Sequence, residues 1–422
     1  MNSIQPPSPD IASGMTTYAT STGRRSGRLR TSREDFQVDE ILDLGQVEQE
    51  RKEGYVPVYS VRKNGVDTPH AADELAASLK SKVNFAGLKD SNAVTVQYAS
   101  ARSSRADDPP VVHGRMFVAE RIGYLPRPIS RGMMTGNRFR IVVRTDEDIS
   151  GSVEEVFRAC NERRIPNFFG YQRFGLRGMV NARVGRAILR RDFRGAVQLF
   201  LGEPRGGESA DAQEARRLAG EGRYREAHGL FSFGQDIERR VARRLEEKPD
   251  DYLGAIRRIP IVPRRLFVQA YQSYIFNRTA SDAVSLGLDL SRGEPGDNWT
   301  TLAPDQLRPT KTHGVKEPLV GETIPLIQIV GYGFRNYGSR FDRLMISILE
   351  EESVEPSRFY IKEAEELSNE GGFRQAPLLA KDLTQVPREG SATLSFTLGK
   401  GEYATTLLRE VLKPEDPRLS GF

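Results

Sequence analysis

Apolar and polar positions alternate with period two over Phe36-Gln37-Val38-Asp39-Glu40-Ile41, and Val56-Pro57-Val58-Tyr59-Ser60-Val61 is a second extended run, so two early strands are predicted. A helix follows from Thr68, where a capping threonine precedes a proline at the first helical position and Leu75 and Leu79 lie four apart. After Gly87 comes a third strand, Ala93 to Tyr98, with Val94, Val96 and Tyr98 on one face. Asp148 to Arg164 carries an apolar stripe through Val153, Val156 and Phe157 and predicts an amphipathic helix, as does Phe267 to Leu286. Gly and Pro punctuate the stretch from Gly293 to Gly338, which predicts loops and short strands. The chain closes with a strand from Ala392 to Leu398, a Gly399-Lys400-Gly401 turn and a helix from Ala404 to Leu412. This is α+β patterning. The two ends resemble each other more than either resembles the middle, which suggests one domain interrupted by an insertion.

The middle differs in charge. Between residues 183 and 265 there are 18 Arg and one Lys against 13 acids, whereas the whole chain of 422 residues has a net charge of only +5. Helical spacing dominates there, and arginine pairs recur without a fixed period. Arg239, Arg240, Arg243 and Arg244 are the candidate RNA phosphate contacts; a solvated helix face with compensating glutamates is the alternative. Cys160 is the sole cysteine, which excludes an internal disulfide and a cysteine-based metal cluster, and the four histidines lack ligand spacing, so no metal is expected. No apolar run approaches membrane-spanning length, and a cytoplasmic protein with no membrane association is expected. The first 27 residues, rich in Ser, Thr, Gly and Arg, are expected to form a flexible tail.

The usual signals of nucleotide cofactors are missing: there is no Gly-x-x-x-x-Gly-Lys run, and no Gly-x-Gly pair continues to a third glycine at dinucleotide-binding spacing. A Gly-x-Ser-x-Gly nucleophile turn is absent too. Carboxylates remain as reactive candidates. In Gly87-Leu88-Lys89-Asp90, the glycine permits a tight bend and Asp90 sits at the mouth of a strand; it is either a reactive group at a cleft or part of a turn that joins two elements. The second constellation is Asn167 to Gly175. If extended, it sets Asn167, Phe169 and Tyr171 on one face, either as the wall of a pocket for an unstacked base or as a strand's core face.

With these segments the sequence resembles the TruD family of pseudouridine synthases. The signatures, in order, are Glu34-Asp35-Phe36 with Val38-Asp39-Glu40, Lys63-Asn64-Gly65, Gly87-Leu88-Lys89-Asp90 with Ala93-Val94-Thr95 and Gln97, Asn167-Phe168-Phe169-Gly170, and Gln172-Arg173-Phe174-Gly175. Tyr271-Gln272-Ser273-Tyr274 with Phe276-Asn277, and Tyr403-Ala404-Thr405 with Leu408-Arg409-Glu410, complete the series. The resemblance implies isomerisation of uridine to pseudouridine in tRNA, with position 13 as the first target to test, without redox change or cofactor. It implies Asp90 as the catalytic carboxylate and Arg30 as its cation, at a position that is usually lysine in the family. It further implies Asn167 as a hydrogen-bonding partner around that carboxylate and Phe169 as the ring on which the base stacks. Phe36 and Tyr403 match aromatic positions near the substrate.

The implied fold is a mixed, largely antiparallel pseudouridine-synthase catalytic sheet with helices, interrupted by an inserted TruD-type α/β domain. Residues 28–180 with 383–422 would form the catalytic domain and 181–382 the insertion, including the basic helical extension 183–265. A monomer acting on tRNA is the expectation, with a catalytically inactive tRNA-binding protein or folding aid of the same fold as the alternative.

Overall fold

The computed structural model describes residues 4–422 apart from residues 90, 106, 176, 177, 233, 303–311 and 320. In chain order, the first half contains α1 (Ser8–Ala12), β1 (Phe36–Leu42), β2 (Val56–Asn64), α2 (Thr68–Leu79), β3 (Val83–Phe85), β4 (Val94–Ala101), β5 (Val111–His113), β6 (Phe117–Leu125), β7 (Met134–Arg144) and α3 (Ser150–Asn161). Helices then dominate: α4 (Asn181–Leu189), α5 (Phe193–Gly202), α6 (Ala210–Gly220), α7 (Tyr224–Leu230), α8 (Asp236–Glu247), α9 (Tyr252–Ile256) and the long α10 (Ile261–Ser285). The chain ends with β8 (Asn298–Thr301), β9 (Thr323–Ile329), α11 (Arg340–Glu351), β10 (Gly372–Gln375), β11 (Ala380–Arg388), β12 (Ser391–Gly399) and α12 (Ala404–Leu412).

Two compact units result. Residues 22–163 and 378–422 form a sheet unit; residues 4–21, 164–301 and 312–377 form a helical unit. The division falls at 163/164 and 377/378, where the sequence reading set 180 and 382. The reason is local: on entering and leaving the helical unit the chain pairs with itself, Pro166 opposite Pro377, with the Asn167 N–H donating to the Ala376 carbonyl at 2.8 Å.

The sheet unit is built on the strand order β11-β12-β7-β1-β4-β2-β6-β5, with β3 added against β4. All pairs are antiparallel except β1 with β4. Along one row the register sets Lys63 opposite Thr95, Thr95 opposite Val38, Val38 opposite Phe139, and Phe139 opposite Phe396. Because side chains alternate along a strand, these residues share a face with Val61, Gln97 and Glu40. That face is apolar at both flanks. Tyr59, Val61 and Ala99 pack under Leu75 and Leu79 of α2, and Phe36 and Phe396 both meet Phe139. Between the flanks lies a belt of buried polar side chains: Glu40, Lys63, Thr95 and Gln97.

Two local differences from the sequence reading concern this belt. Helix α2 is capped by Asp67, whose carboxylate accepts the His70 N–H at 2.9 Å, so Thr68 is left with another use. On β4 the polar Thr95 and Gln97 are the deeply buried pair, while Val96 and Tyr98 are partly exposed.

In the helical unit, α10 runs along α4 and α11, and β10-β9-β8 make a small antiparallel sheet. Residues 4–21, expected as a flexible tail, are packed into this unit. Tyr171 donates its hydroxyl to buried Asp10, Asn277 donates to the Ser13 carbonyl at 2.8 Å, and Ser281 donates to the Gly14 carbonyl at 3.0 Å. Gly14 has φ +82°, and a Cβ there would lie 2.5 Å from the Tyr274 carbonyl oxygen, so the close approach to α10 requires glycine. Residue types that look disordered in composition are here fixed by a buried aspartate and by backbone carbonyls.

Candidate active site

The Gly87–Lys89 loop of the sheet unit is held by Thr68 of α2 and by three residues of the polar belt, Gln97, Lys63 and Glu40. Thr68 accepts the Lys89 N–H at 2.9 Å and donates its hydroxyl to Gln97 Oε1 at 3.0 Å; Gln97 Nε2 in turn donates to the Gly87 carbonyl at 3.5 Å. Lys63, 1% exposed, donates its ammonium to the Val66 carbonyl at 2.8 Å and to the Lys89 carbonyl at 3.2 Å. The Lys89 ammonium pairs with Glu40 Oε1 at 3.1 Å, and Glu40 Oε2 accepts the Tyr98 N–H at 3.3 Å. A Cβ on Gly87 would stand 3.0 Å from both Glu40 Oε1 and Met134 Sδ, so the loop approaches the sheet as closely as a glycine allows. Buried charges and polar groups are costly unless paired. Lys63, Thr68, Gln97 and the Lys89–Glu40 pair are satisfied in this way, and what they fix is the backbone that ends at Lys89, whereas the buried Thr95 hydroxyl takes no part. Asp90, the next residue, lies outside the described residues. Leu88 between them is 71% exposed, so the loop contributes its backbone and not an apolar side chain to the interior.

Arg30 adopts φ +53°, donates to the Gly421 carbonyl at 2.7 Å and lays its guanidinium carbon 3.9 Å from the ring centroid of Phe36. The structure therefore brings Arg30 and Phe36 together as a cation–π pair. Phe36 is buried and forms a T-shaped pair with Phe139, the ring centroids 6.3 Å apart. Tyr403 is the half-buried residue that precedes the first turn of α12. Nearby, Asp35 is held below the ordinary carboxylate range: burial opposes this, but the Arg144 guanidinium and the Ser32 backbone outweigh it.

In the helical unit the segment from Asn167 is not a strand. Beyond the Pro166 bridge it runs without ladder pairing into a short 3-10 turn at Tyr171–Arg173. A side chain replaces the missing partner strand: buried Asn277 accepts the Phe169 N–H at 2.8 Å and donates to the Phe169 carbonyl at 3.1 Å. The Phe169 ring, 7% exposed, meets Phe276 edge-on at 5.3 Å. Arg374 on β10 donates to the Asn167 carbonyl at 2.8 Å and to Asn167 Oδ1 at 2.5 Å, and its guanidinium carbon lies 4.2 Å from the Phe169 centroid. The structure thus joins Asn167 and Phe169, both singled out in the sequence, to Arg374, which the sequence reading did not single out; Lys63, Glu40 and Asn277 were visible there only as members of quoted signatures.

The arginines of α8 have local partners. Arg239 pairs with Asp236, Arg243 with Glu247 at 2.9 Å and Arg244 with Asp251, while Arg240 donates to the Asp236 carbonyl at 3.2 Å. Deeper in the same region, buried Arg216 binds Glu208 at 2.6 Å and Glu238 at 3.3 Å. Part of the arginine richness thus holds the helices to one another.

Residues 12–411 match the family model described as tRNA pseudouridine synthase D (TruD). The chain belongs to the TruD family. A probable tRNA pseudouridine synthase D from Pyrobaculum neutrophilum is 34% identical over 431 residues, covering 99% of this chain and all of that protein. Its counterpart in Methanococcoides burtonii is 31% identical with both chains fully covered. The crystal structure of the putative TruD from Methanosarcina mazei superposes with a TM-score of 0.80 at 28% identity, over 99% of this chain and all of that one. This TruD-family chain is accordingly an RNA pseudouridine synthase by class, an isomerase, and its mixed, largely antiparallel sheet is the fold expected from the sequence. No helix among its described residues is long and apolar enough to cross a membrane.

Proposed function

We propose that this protein isomerises uridine to pseudouridine in tRNA, with position 13 as the preferred site, and that it acts as a cytoplasmic monomer. Asp90 is the catalytic carboxylate. The reaction breaks the N1–C1′ bond of the nucleoside and forms a C5–C1′ bond; C5 loses its proton to solvent and N1 gains one, so mass is conserved and no electrons are exchanged. The observation that carries this reading is the concentration of buried polar side chains on the peptide units preceding Asp90. Lys63, Thr68, Gln97 and the Lys89–Glu40 pair are all committed to one short loop. A turn that only connected two strands would not need them, whereas a carboxylate that must act at a fixed angle does.

Arg30 supplies positive charge for that carboxylate. The target base must leave its stack, at a cost of a few kcal/mol, and stacking on Phe169 offsets part of it. Asn167 adds a hydrogen bond, with Phe36 and Tyr403 lining the substrate side, and the α8 arginines take up phosphates, Arg239, Arg243 and Arg244 by exchanging their present carboxylate partners.

The test is release of tritium from C5-labelled uridine in tRNA, combined with mapping of the modified position in RNA from cells with and without the protein. Release with an intact, mass-neutral product supports the reading. Binding without release from any tRNA would make the protein a tRNA-binding or folding factor instead.

A further inference from the structure

Arg374 and Asn167 are 207 residues apart in sequence and touch at two points. A guanidinium has five N–H donors and no acceptor. The Asn167 atom 2.5 Å from Nη2 is therefore the amide oxygen, and the amide NH2 is turned to the opposite side. The second bond, from Nε to the Asn167 backbone carbonyl at 2.8 Å, and a longer one from Nη2 to the Phe168 carbonyl at 3.4 Å fix the guanidinium against the same stretch of chain. With its carbon 4.2 Å from the Phe169 centroid and 5.7 Å from that of Phe276, the same group also backs the aromatic pair.

We propose that Arg374 is a positioning residue for the base-holding set: by holding Asn167 Oδ1 it turns the amide NH2 outward as the donor presented on the other side, and it supports the ring of Phe169. The proposal rests on the roles given to Asn167 and Phe169 above. An amide pinned in this way recognises an acceptor oxygen and leaves a donor unsatisfied. Without the guanidinium the amide is free to rotate by half a turn and present its oxygen. Lysine is no substitute, because a single ammonium cannot hold two oxygens in one plane while lying over a ring.

The experiment compares the full chain with R374M, R374K, N167A, N167D and the double variant R374M/N167A, by single-turnover tritium release and by filter binding of tRNA. R374M is expected to slow the chemical step about 30-fold or more while tRNA affinity stays within about threefold, since misplacing a binding group costs rate more than affinity. R374K recovers only part. N167D keeps an oxygen for Arg374 but loses the donor, and is expected to be as slow as N167A. The double variant should be no slower than the worse single variant to within about threefold, because both changes remove one arrangement. R374M at wild-type rate, or losses that multiply in the double variant, overturns the proposal. Should R374M fail to fold, R374K and the N167D comparison still decide it. If the wild-type chain itself releases no tritium, the functional reading fails and takes this inference with it; if it does and the Arg374 variants match it, only the inference fails.

Discussion

The Lys63 ammonium donates at 3.2 Å to the Lys89 carbonyl, which belongs to the peptide bond leading into Asp90. Lys63→Met takes the ammonium donor from two part-buried carbonyls, those of Val66 and Lys89, an effect on the order of 1–3 kcal/mol in stability. Turnover is expected to fall at least about tenfold, because the loop that presents Asp90 loosens. Urea denaturation and tritium release measure the two effects separately; unchanged turnover would make Lys63 a purely structural residue.

For Asp90→Asn, turnover is expected to vanish while tRNA affinity changes by no more than a few fold. The substitution removes the charge and keeps the shape. A parallel collapse of binding would reassign Asp90 to structure.

Glu40→Gln strands the Lys89 ammonium in a buried site. Breaking such a pair costs about 3–5 kcal/mol, more than the pair itself contributes over two well-packed apolar residues. The double variant Glu40→Gln, Lys89→Met should therefore be more stable than Glu40→Gln alone, as read from urea midpoints. The reverse order would show that the pair is not the relevant interaction.

Burial pushes the Lys413 ammonium down to about 8, with Glu410 opposing the shift and Arg409 adding to it. The fold favours the neutral amine, so it carries a penalty below pH 8 that is relieved as pH rises toward the unfolded value of 10.5, where the unfolded chain still holds the proton. Stability relative to Lys413→Met should rise between these limits by at most about 1.4 kcal/mol per pH unit. A flat difference across that window would place the amine in water.

Charge reversal of Arg239, Arg240, Arg243 and Arg244 is expected to weaken tRNA binding and to flatten its salt dependence. Because three of the four now hold carboxylates, the change in slope should be smaller than four full phosphate contacts would give. An unaltered slope assigns these residues to the helix surface alone.

Much of the architecture was legible because it follows local periodicity. The strands at Phe36, Val56 and Ala392, and the helices at Thr68, Ser150 and Ala404, stand within a few residues of where the apolar spacing puts them. What was illegible depends on partners distant in sequence. Thr68 looked like a cap because its use, the Lys89 N–H, is 21 residues away, and Asp67 took the cap instead. Gln97 lies on the β4 face opposite the apolar Val94, Val96 and Tyr98, and its burial follows from two distant partners, the Thr68 hydroxyl it accepts and the Gly87 carbonyl it donates to. The Asn167 segment looked extended, yet its ladder partner is the side chain of Asn277, 108 residues later in the case of Phe169. Arg374 gave no signal, since a lone arginine in a four-residue strand has no local pattern.

The placement of β12 beside β7 has a consequence for how the chain is made. On a ribosome β7 emerges well before Ser391–Gly399, with all of the helical unit except its residues 4–21 translated between them. Through that interval one margin of β7 has no neighbour. Margins of this kind invite association with other nascent chains, and alternating cations along them are a known deterrent. Arg138, Arg140 and Arg144 are solvent-exposed on β7 even in the finished fold, and cations spaced in this way disfavour such association.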